Sequence, residues 1–148
     1  MITLTLHQKN QRKMKKISVL FLVAGLFCFV SSCKKVEGEG GSSKIVGKVT
    51  VKNYNVGGSI LEGTYPGSDE DVYIIYGEGN TYYNDRIKTS YDGTFEFSYL
   101  QPGTYTIYVY EDVLPEPTNA DNKQVVLLTT ELGKKETKDV GEIIIKRK

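Results

Sequence analysis

Residues 92–107 read Asp92-Gly93-Thr94-Phe95-Glu96-Phe97-Ser98-Tyr99-Leu100-Gln101-Pro102-Gly103-Thr104-Tyr105-Thr106-Ile107. Apolar and polar residues alternate over 94–99 and again over 104–107, as in strands that bury one face. Asp92-Gly93 is typical of a hairpin turn, because glycine adopts the positive φ that a tight turn needs. Gln101-Pro102-Gly103-Thr104 fits a type II turn, in which proline presets φ at the second position and glycine takes the left-handed third. The segment predicts two β-strands with turns at defined places.

Five further strand patterns lie outside this segment, and residues 44–148 contain no sustained apolar periodicity of the helical kind. The seven predicted strands span 44–52, 71–76, 82–89, 94–99, 104–111, 123–130 and 139–146. Seven short strands within about 100 residues are typical of a β-sandwich. We therefore predict an all-β fold, a seven-stranded Greek-key β-sandwich.

The residues from Asp92 to Ile107 are similar to the D-G-x-F-x-F-x-x-L-x-P-G-x-Y-x-V core of carboxypeptidase-regulatory-like domains, which have the prealbumin-like (transthyretin-like) sandwich. Ile45-Val46-Gly47-Lys48-Val49 resembles the opening strand of that family, and Val72-Tyr73-Ile74 resembles its second strand. The resemblance spans most of residues 44–146. It implies a prealbumin-like sandwich. The matched residues are turn formers and core aromatics, so they say little about function, but members of this family are mostly accessory, adhesive or spacer modules.

Two similar kinds of domain carry out chemistry, and their catalytic residues can be compared with the residues at the matching positions of this chain. Collagen-adhesin B-type domains, which look similar, form Lys–Asn isopeptide bonds with a glutamate in a G-x-Y-x-ϕ-x-E strand. Val109 occupies the position of that glutamate in this chain. Glu111 lies further along the same strand, so an isopeptide bond catalysed from this shifted position stays an open alternative. Transthyretin-like urate-pathway hydrolases use histidines and a C-terminal Tyr-Arg-Gly-Ser, whereas this sequence ends Ile145-Lys146-Arg147-Lys148. The resemblance therefore implies a protein that is not an enzyme.

The first 32 residues have the layout of a secretory signal peptide. An apolar run over 17–30 follows five basic residues, and it is shorter than the roughly 20 residues of a membrane-spanning helix. Met14 is the more usual start for such a leader. Val30-Ser31-Ser32-Cys33 resembles a bacterial lipobox, and the resemblance implies that Cys33 carries acyl chains after cleavage. Several acyl chains give a stable membrane anchor.

Removing the leader changes the charge and the available chemistry. Five basic residues and no acidic residue precede Cys33, so the mature chain keeps 14 basic and 18 acidic residues and carries a net charge of −4. A chain with a net negative charge lacks the positive electrostatic field that attracts nucleic acid, so we expect no nucleic-acid partner. His7 is the only histidine in the sequence and is lost with the leader, so we expect no histidine-based catalysis or metal binding and no cofactor.

Residues 33–43 are predicted to be the lipidated cysteine and a flexible tether, because Gly, Ser and charged residues dominate there. The sandwich domain is then expected over residues 44–148. This organisation predicts a cell-envelope protein, an outer membrane lipoprotein that faces either the cell surface or the periplasm. The membrane is thus one expected partner, and a protein or a glycan of the envelope is the other.

Tyrosine is the unusual residue of the mature chain, since all 11 tyrosines follow Cys33. Exposed tyrosines stack on sugars or pack on proteins, whereas cross-strand tyrosine pairs merely stabilise a sheet. We select four as possible contacts for a ligand or partner: Tyr54, Tyr65, Tyr82 and Tyr83. The segment 53–67 is longer than a usual sandwich connection, and is predicted to be either a recognition loop or a disordered insertion.

Asp69-Glu70-Asp71 is a weak candidate for Ca²⁺ binding, because three carboxylates follow one another in a predicted loop. The register of a calcium loop is missing, so solvated acids at the start of a strand are the alternative. The sequence as a whole predicts a lipid-anchored, non-catalytic binding or structural module of the cell envelope. A carbohydrate-binding accessory lipoprotein that uses exposed tyrosines is the alternative function.

Overall fold

The structure, a computed structural model, describes residues 36–114 and 123–148, and these residues form eight β-strands. The strands are β1 (Glu39–Tyr54), β2 (Leu61–Pro66), β3 (Asp71–Tyr76), β4 (Asp85–Lys88), β5 (Thr94–Leu100), β6 (Gly103–Asp112), β7 (Lys123–Leu132) and β8 (Thr137–Arg147). The predicted all-β sandwich is confirmed. Among the described residues, none lies in a helix that would be long and apolar enough to span a bilayer. The predicted leader (1–32) and Cys33 lie outside the described residues.

Two sheets face each other. In sheet A, one edge of β1 pairs with β8 in parallel, and its other edge pairs with β5 along the first half and with β2 along the second half. Sheet B is antiparallel throughout, with the order β4-β3-β6-β7. The chain crosses between the sheets four times, and three hairpin-type connections stay within a sheet: β1–β2, β3–β4 and β6–β7.

The hydrophobic core lies between the sheets and is built from alternate residues of the strands. Burial follows the period of two that the sequence shows, since Phe95 and Phe97 of β5 and Tyr105, Ile107 and Val109 of β6 point inward. The remaining buried apolar residues come mainly from β1, β3 and β8: Ile45, Val49, Val51, Val72, Ile74, Leu100, Leu132, Ile143 and Ile145.

The structure adds one strand to the seven that the sequence predicts. β2 lies within the segment 53–67, where a recognition loop or a disordered insertion was the expectation. It pairs with the end of β1, from Thr50 opposite Pro66 to Tyr54 opposite Leu61. Sequence patterning misses β2 because its residues are nearly all exposed, so they lack the apolar alternation of a half-buried strand. Residues 55–60 form the connecting turn.

The domain begins earlier than the predicted boundary at residue 44. β1 starts at Glu39, so much of the segment predicted as a flexible tether belongs to the first strand. The register between β1 and β5 is irregular there. A Cβ at Gly41 would lie 1.8 Å from the carbonyl oxygen of Leu100, so only glycine fits this approach of two backbones. The glycines therefore serve strand pairing.

Two turns also differ from their predicted roles. Gly93 has the expected positive φ of 84°, but the strands before and after it, β4 and β5, belong to different sheets. The predicted hairpin at Asp92-Gly93 is therefore wrong, and the turn carries the chain across the sandwich. Gly103 has a φ of 156° and is the first residue of β6, so it does not take the left-handed third position of a type II turn.

Candidate binding surface

The outer face of sheet B carries a cluster of aromatic side chains. Tyr73 of β3 and Tyr108 of β6 are direct cross-strand partners, and both alternate with residues that point into the core. Tyr110 follows Tyr108 on the same face, and Tyr83 reaches Tyr73 from the connection between β3 and β4. We call these four residues, Tyr73, Tyr83, Tyr108 and Tyr110, the tyrosine face.

The four rings contact one another in defined geometries. Tyr73 and Tyr108 stack with ring centroids 4.9 Å apart and an interplanar angle of 7°. Tyr83 meets Tyr73 edge-on at 5.0 Å. Tyr110 is nearly perpendicular to both stacked rings, at 5.5 Å from Tyr73 and 5.7 Å from Tyr108. Offset and edge-to-face contacts of this kind each stabilise a pair by about 0.5–1.5 kcal/mol beyond the area that they bury, so the cluster holds its own shape.

Aliphatic residues of β7 extend the aromatic surface. Leu127 lies opposite Tyr108 and Val125 lies opposite Tyr110, on the same outer face. Leu127 is 61% exposed and Val125 is 45% exposed, while Tyr83 is 51% exposed and Tyr110 is 40% exposed. Contiguous apolar side chains on the outside of a domain mark surfaces that bind other molecules. The tyrosine face together with Val125 and Leu127 is therefore the strongest candidate for a binding surface.

A cation, Arg86, borders this surface beside Tyr73. Arg86 of β4 lies opposite Tyr73, and a hydrogen bond with the Tyr73 side chain and the nearby Asp71 carboxylate raise the pKa of Arg86. Burial, followed by the neighbouring Tyr110, raises the pKa of Tyr108 to about 12. The surface thus offers aromatic rings and phenol hydroxyls, with a positive charge at its rim.

The structure does not bring the four predicted tyrosines together. Tyr83 belongs to the tyrosine face, and its neighbour Tyr82 is 84% exposed in the same connection. Tyr54 and Tyr65 lie on β1 and β2 of the other sheet.

Sequence reasoning did not select Tyr73, Tyr108 and Tyr110. Their strand positions carry a usable signal, because each alternates with a core residue and must therefore point outward.

The three consecutive acids contact three different cations. Asp69 pairs with Lys88 at 2.9 Å and Asp71 lies 3.7 Å from Arg86. Glu70 pairs with Arg147 near the end of the chain. Within residues 36–114 and 123–148, no group of three or more acidic, histidine or cysteine side chains is placed to hold a metal ion. All three carboxylates are therefore engaged in ion pairs.

A concave region lies at the side of the sandwich, between sheet A and the end of β4. It is an open groove of about 750 Å³ whose walls include both acids and lysines. Glu96 pairs with Lys44 at 2.8 Å, and Glu142 accepts a hydrogen bond from Thr50. Because Glu96 and Glu142 already have partners and the groove is open to solvent, we rank it below the tyrosine face.

Glu111, which the resemblance to isopeptide-forming domains leaves open as a shifted catalytic acid, is 5% exposed. It accepts hydrogen bonds from the Gln124 side chain at 2.5 Å and from the backbone N–H of Lys146 at 3.0 Å. These contacts tie β6 to β7 and to β8. Glu111 therefore joins strands of both sheets through non-covalent bonds.

No family model and no curated protein matches the chain. Among solved structures, the chain is similar to a candidate carbohydrate-binding protein from Pseudomonas aeruginosa, with a TM-score of 0.43 and 12% identity over 74% of this chain and 91% of that one. It is also similar to a DUF3823 family protein from Parabacteroides merdae, with a TM-score of 0.33 and 20% identity over 73% of this chain. The similarity covers 46% of that second structure, so this chain spans about half of its length.

Proposed function

We propose that the chain is a lipid-anchored, non-catalytic binding module of the cell envelope and that the outer face of sheet B is its binding surface. The observation that carries this proposal is the exposed aromatic and aliphatic patch of the tyrosine face with Val125 and Leu127. Support for the anchor comes from the sequence Val30-Ser31-Ser32-Cys33 behind an apolar leader. We expect an outer membrane lipoprotein that faces either the cell surface or the periplasm.

The shape of the surface favours an extended ligand or a protein partner. The rings lie on a pleated sheet face, whereas sites for small molecules are usually concave and bury most of the ligand. Side chains that already hold one another in place lose little conformational freedom on binding, which favours affinity. The tyrosine face therefore suits a ligand that lies across several strands.

A carbohydrate is the second candidate for the ligand. Tyr73 and Tyr108 each use one ring face for the other, so the better exposed Tyr83 and Tyr110 are left to meet a sugar. The apolar C–H faces of a sugar pack on aromatic rings, and phenol hydroxyls and Arg86 supply hydrogen bonds.

The anchor is tested by replacing the lipidated cysteine. The Cys33→Ala variant is expected to leave the membrane fraction, and mass spectrometry of the unchanged protein is expected to find acyl chains on an N-terminal Cys33. Cys28→Ala is the matched control, since that residue lies inside the leader, and it should remain in the membrane fraction. Retention of the Cys33→Ala variant, or an unmodified N-terminus, would refute the anchor.

The binding surface is tested in two measurements, binding to a glycan array and binding to envelope proteins. The same variants are used in both. Tyr83→Ala and Tyr110→Ala are expected to lose any glycan signal of the unchanged protein. Tyr91→Ala is the control, because Tyr91 is 86% exposed but lies in the connection between β4 and β5. Equal signals for all variants exclude the tyrosine face as the glycan site. Absence of any signal, with affinity for an envelope protein lost in Tyr110→Ala, selects the protein partner.

A further inference from the structure

We infer that the sandwich is oriented on the bilayer, with the end at which β1 begins facing the lipid headgroups. We call this end the proximal end; it consists of residues 77–84, 101–102 and 133–136, which connect β3–β4, β5–β6 and β7–β8. The opposite, distal end consists of residues 55–60, 67–70 and 89–93. The inference rests on the proposed lipid anchor at Cys33 and adds which surface that anchor holds against the membrane.

The chain is fixed to the proximal end before β1 starts. The backbone N–H of Gly38 donates to the phenol oxygen of Tyr105 at 3.0 Å, and the Gly38 carbonyl accepts from the N–H of Gln101 at 2.7 Å. Tyr105 is fully buried. Because a core side chain holds Gly38, the free length of the tether ends there and not at residue 44.

The remaining tether is short compared with the domain. Extended backbone from Cys33 to Gly38 covers at most about 17 Å. Glu39 and Ser43 both lie opposite Leu100, so β1 advances mainly from Ser43 to Tyr54, which at about 3.3 Å per residue is roughly 35 Å toward the distal end. A chain anchored at Cys33 therefore keeps the proximal end within a few strand spacings of the headgroups.

The side chains at the proximal end suit a headgroup layer. Tyr82 is 84% exposed in the connection between β3 and β4, and tyrosine is enriched where membranes meet water. Lys134 and Lys135 are exposed in the connection between β7 and β8, and lysines near the surface are attracted to anionic lipids. Glu78 and Glu136 stand in these same connections and oppose that attraction. We therefore assign the orientation to the tether, with these side chains as secondary contacts.

This orientation leaves the binding surface free. The strands of sheet B run from the proximal to the distal end, so Tyr73, Tyr108 and Tyr110 lie along the side of the domain, while Tyr83 belongs to a proximal connection. At the distal end, Val56 and Ile60 are 88% and 63% exposed and point away from the bilayer. A ligand can then approach the tyrosine face without displacing lipid.

The test uses the full lipidated chain in vesicles that contain phospholipids with a nitroxide on the headgroup. Single cysteines for a fluorescent label are introduced one at a time as Lys135→Cys at the proximal end, Ser59→Cys at the distal end and Leu127→Cys on the outer face of sheet B. All three positions are exposed. The label at 135 is expected to lose fluorescence, while labels at 59 and 127 should keep the fluorescence that they have in vesicles without nitroxide.

A lengthened tether is the internal control. Insertion of about ten Gly and Ser residues between Lys35 and Val36 should restore the fluorescence of the label at 135, because flexible linkers of that length reach much further. Quenching at 127 or 59 that equals or exceeds quenching at 135 overturns the orientation. A chain that lacks acyl mass or stays soluble fails at the anchor itself, so the two failures are told apart before any label is read.

Discussion

Tyr105 and Gly38 are hydrogen-bonded across 67 positions of the sequence, with the Gly38 N–H donating to the Tyr105 phenol oxygen at 3.0 Å. The same hydroxyl donates to the carbonyl of Gln101 at 2.7 Å. One buried side chain thus joins the segment that precedes β1 to the connection between β5 and β6. A tyrosine ring alone would fill the core; its hydroxyl is what orders the N-terminal end of the domain.

We predict that Tyr105→Phe lowers the free energy of unfolding by about 1–3 kcal/mol, because the N–H of Gly38 loses its acceptor inside the protein. Urea unfolding followed by circular dichroism measures this change. Tyr91→Phe is the matched control, since Tyr91 is 86% exposed, and it should leave the midpoint unchanged. Equal midpoints for Tyr105→Phe and the unchanged protein would show that the hydroxyl contributes nothing.

A comparison of alanine variants at Gly93 and Gly141 distinguishes the cost of backbone strain from the cost of steric overlap. Both have a positive φ, 84° and 76°, but a Cβ at Gly93 would lie 2.3 Å from the Val49 carbonyl oxygen, whereas a Cβ at Gly141 would meet nothing within 4 Å. We predict that Gly141→Ala costs about 1 kcal/mol, from strain alone. Gly93→Ala should cost clearly more, because strain is joined by a backbone clash.

Thermal midpoints of the two glycine variants measure this difference. The turn at Gly93 is also held by two hydrogen bonds, which the N–H and the hydroxyl of Thr94 donate to the Asp92 carboxylate. If Gly93→Ala and Gly141→Ala unfold at the same temperature, the close approach of residue 93 to β1 is incorrect.

Much of the fold follows from local sequence patterns. The alternation of Phe95 and Phe97, and of Tyr105 and Ile107, gives the buried faces of β5 and β6 directly. What local patterns do not contain is the assignment of strands to sheets. The turn at Gly93 has the same local chemistry whether it closes a hairpin or crosses the sandwich, so only packing decides between the two.

The tyrosine face could be predicted only in part, because it too depends on how the strands pack. The outward direction of Tyr108 follows from its alternation with Ile107 and Val109, but its contact with Tyr73 depends on the register between β3 and β6. Tyr65 was selected from a segment expected to be a loop, and it lies instead on β2 of sheet A. The outward direction of a side chain follows from the pattern of one strand, whereas a cluster of side chains depends on the register between two strands.

Asp112 is expected to make stability depend on acid. Burial opposes its ionisation, but the Lys123 ammonium, the N–H of Lys148 and the nearby Arg147 outweigh burial and lower the pKa of Asp112. A carboxyl whose pKa is lower in the folded state stabilises the fold above its unfolded pKa of about 3.9, and this contribution disappears as the pH falls through the folded value. Asp112→Asn should therefore destabilise the protein at neutral pH and matter progressively less below about pH 4.

Urea midpoints measured at neutral and acid pH, for the unchanged protein and for Asp112→Asn, test this dependence. Glu78→Gln is the control, because Glu78 is exposed in the connection between β3 and β4. A destabilisation by Asp112→Asn that is the same at every pH would mean that shape or hydrogen bonding, and not charge, accounts for the role of Asp112.

The tyrosine face is expected to set an alkaline limit on stability. Burial, and after it Tyr110, raises the pKa of Tyr108 to about 12, compared with an ordinary value of 10.0. The folded protein thus keeps a proton that the unfolded chain loses, so the stability from neutral Tyr108 is complete below about pH 10 and is lost as the pH rises through about 12. Tyr108→Phe cannot ionise and should unfold less steeply over this range. Alkaline unfolding followed by phenolate absorbance measures the effect, with the exposed Tyr82→Phe as control, and identical curves for both variants would place Tyr108 in contact with water instead of inside the cluster.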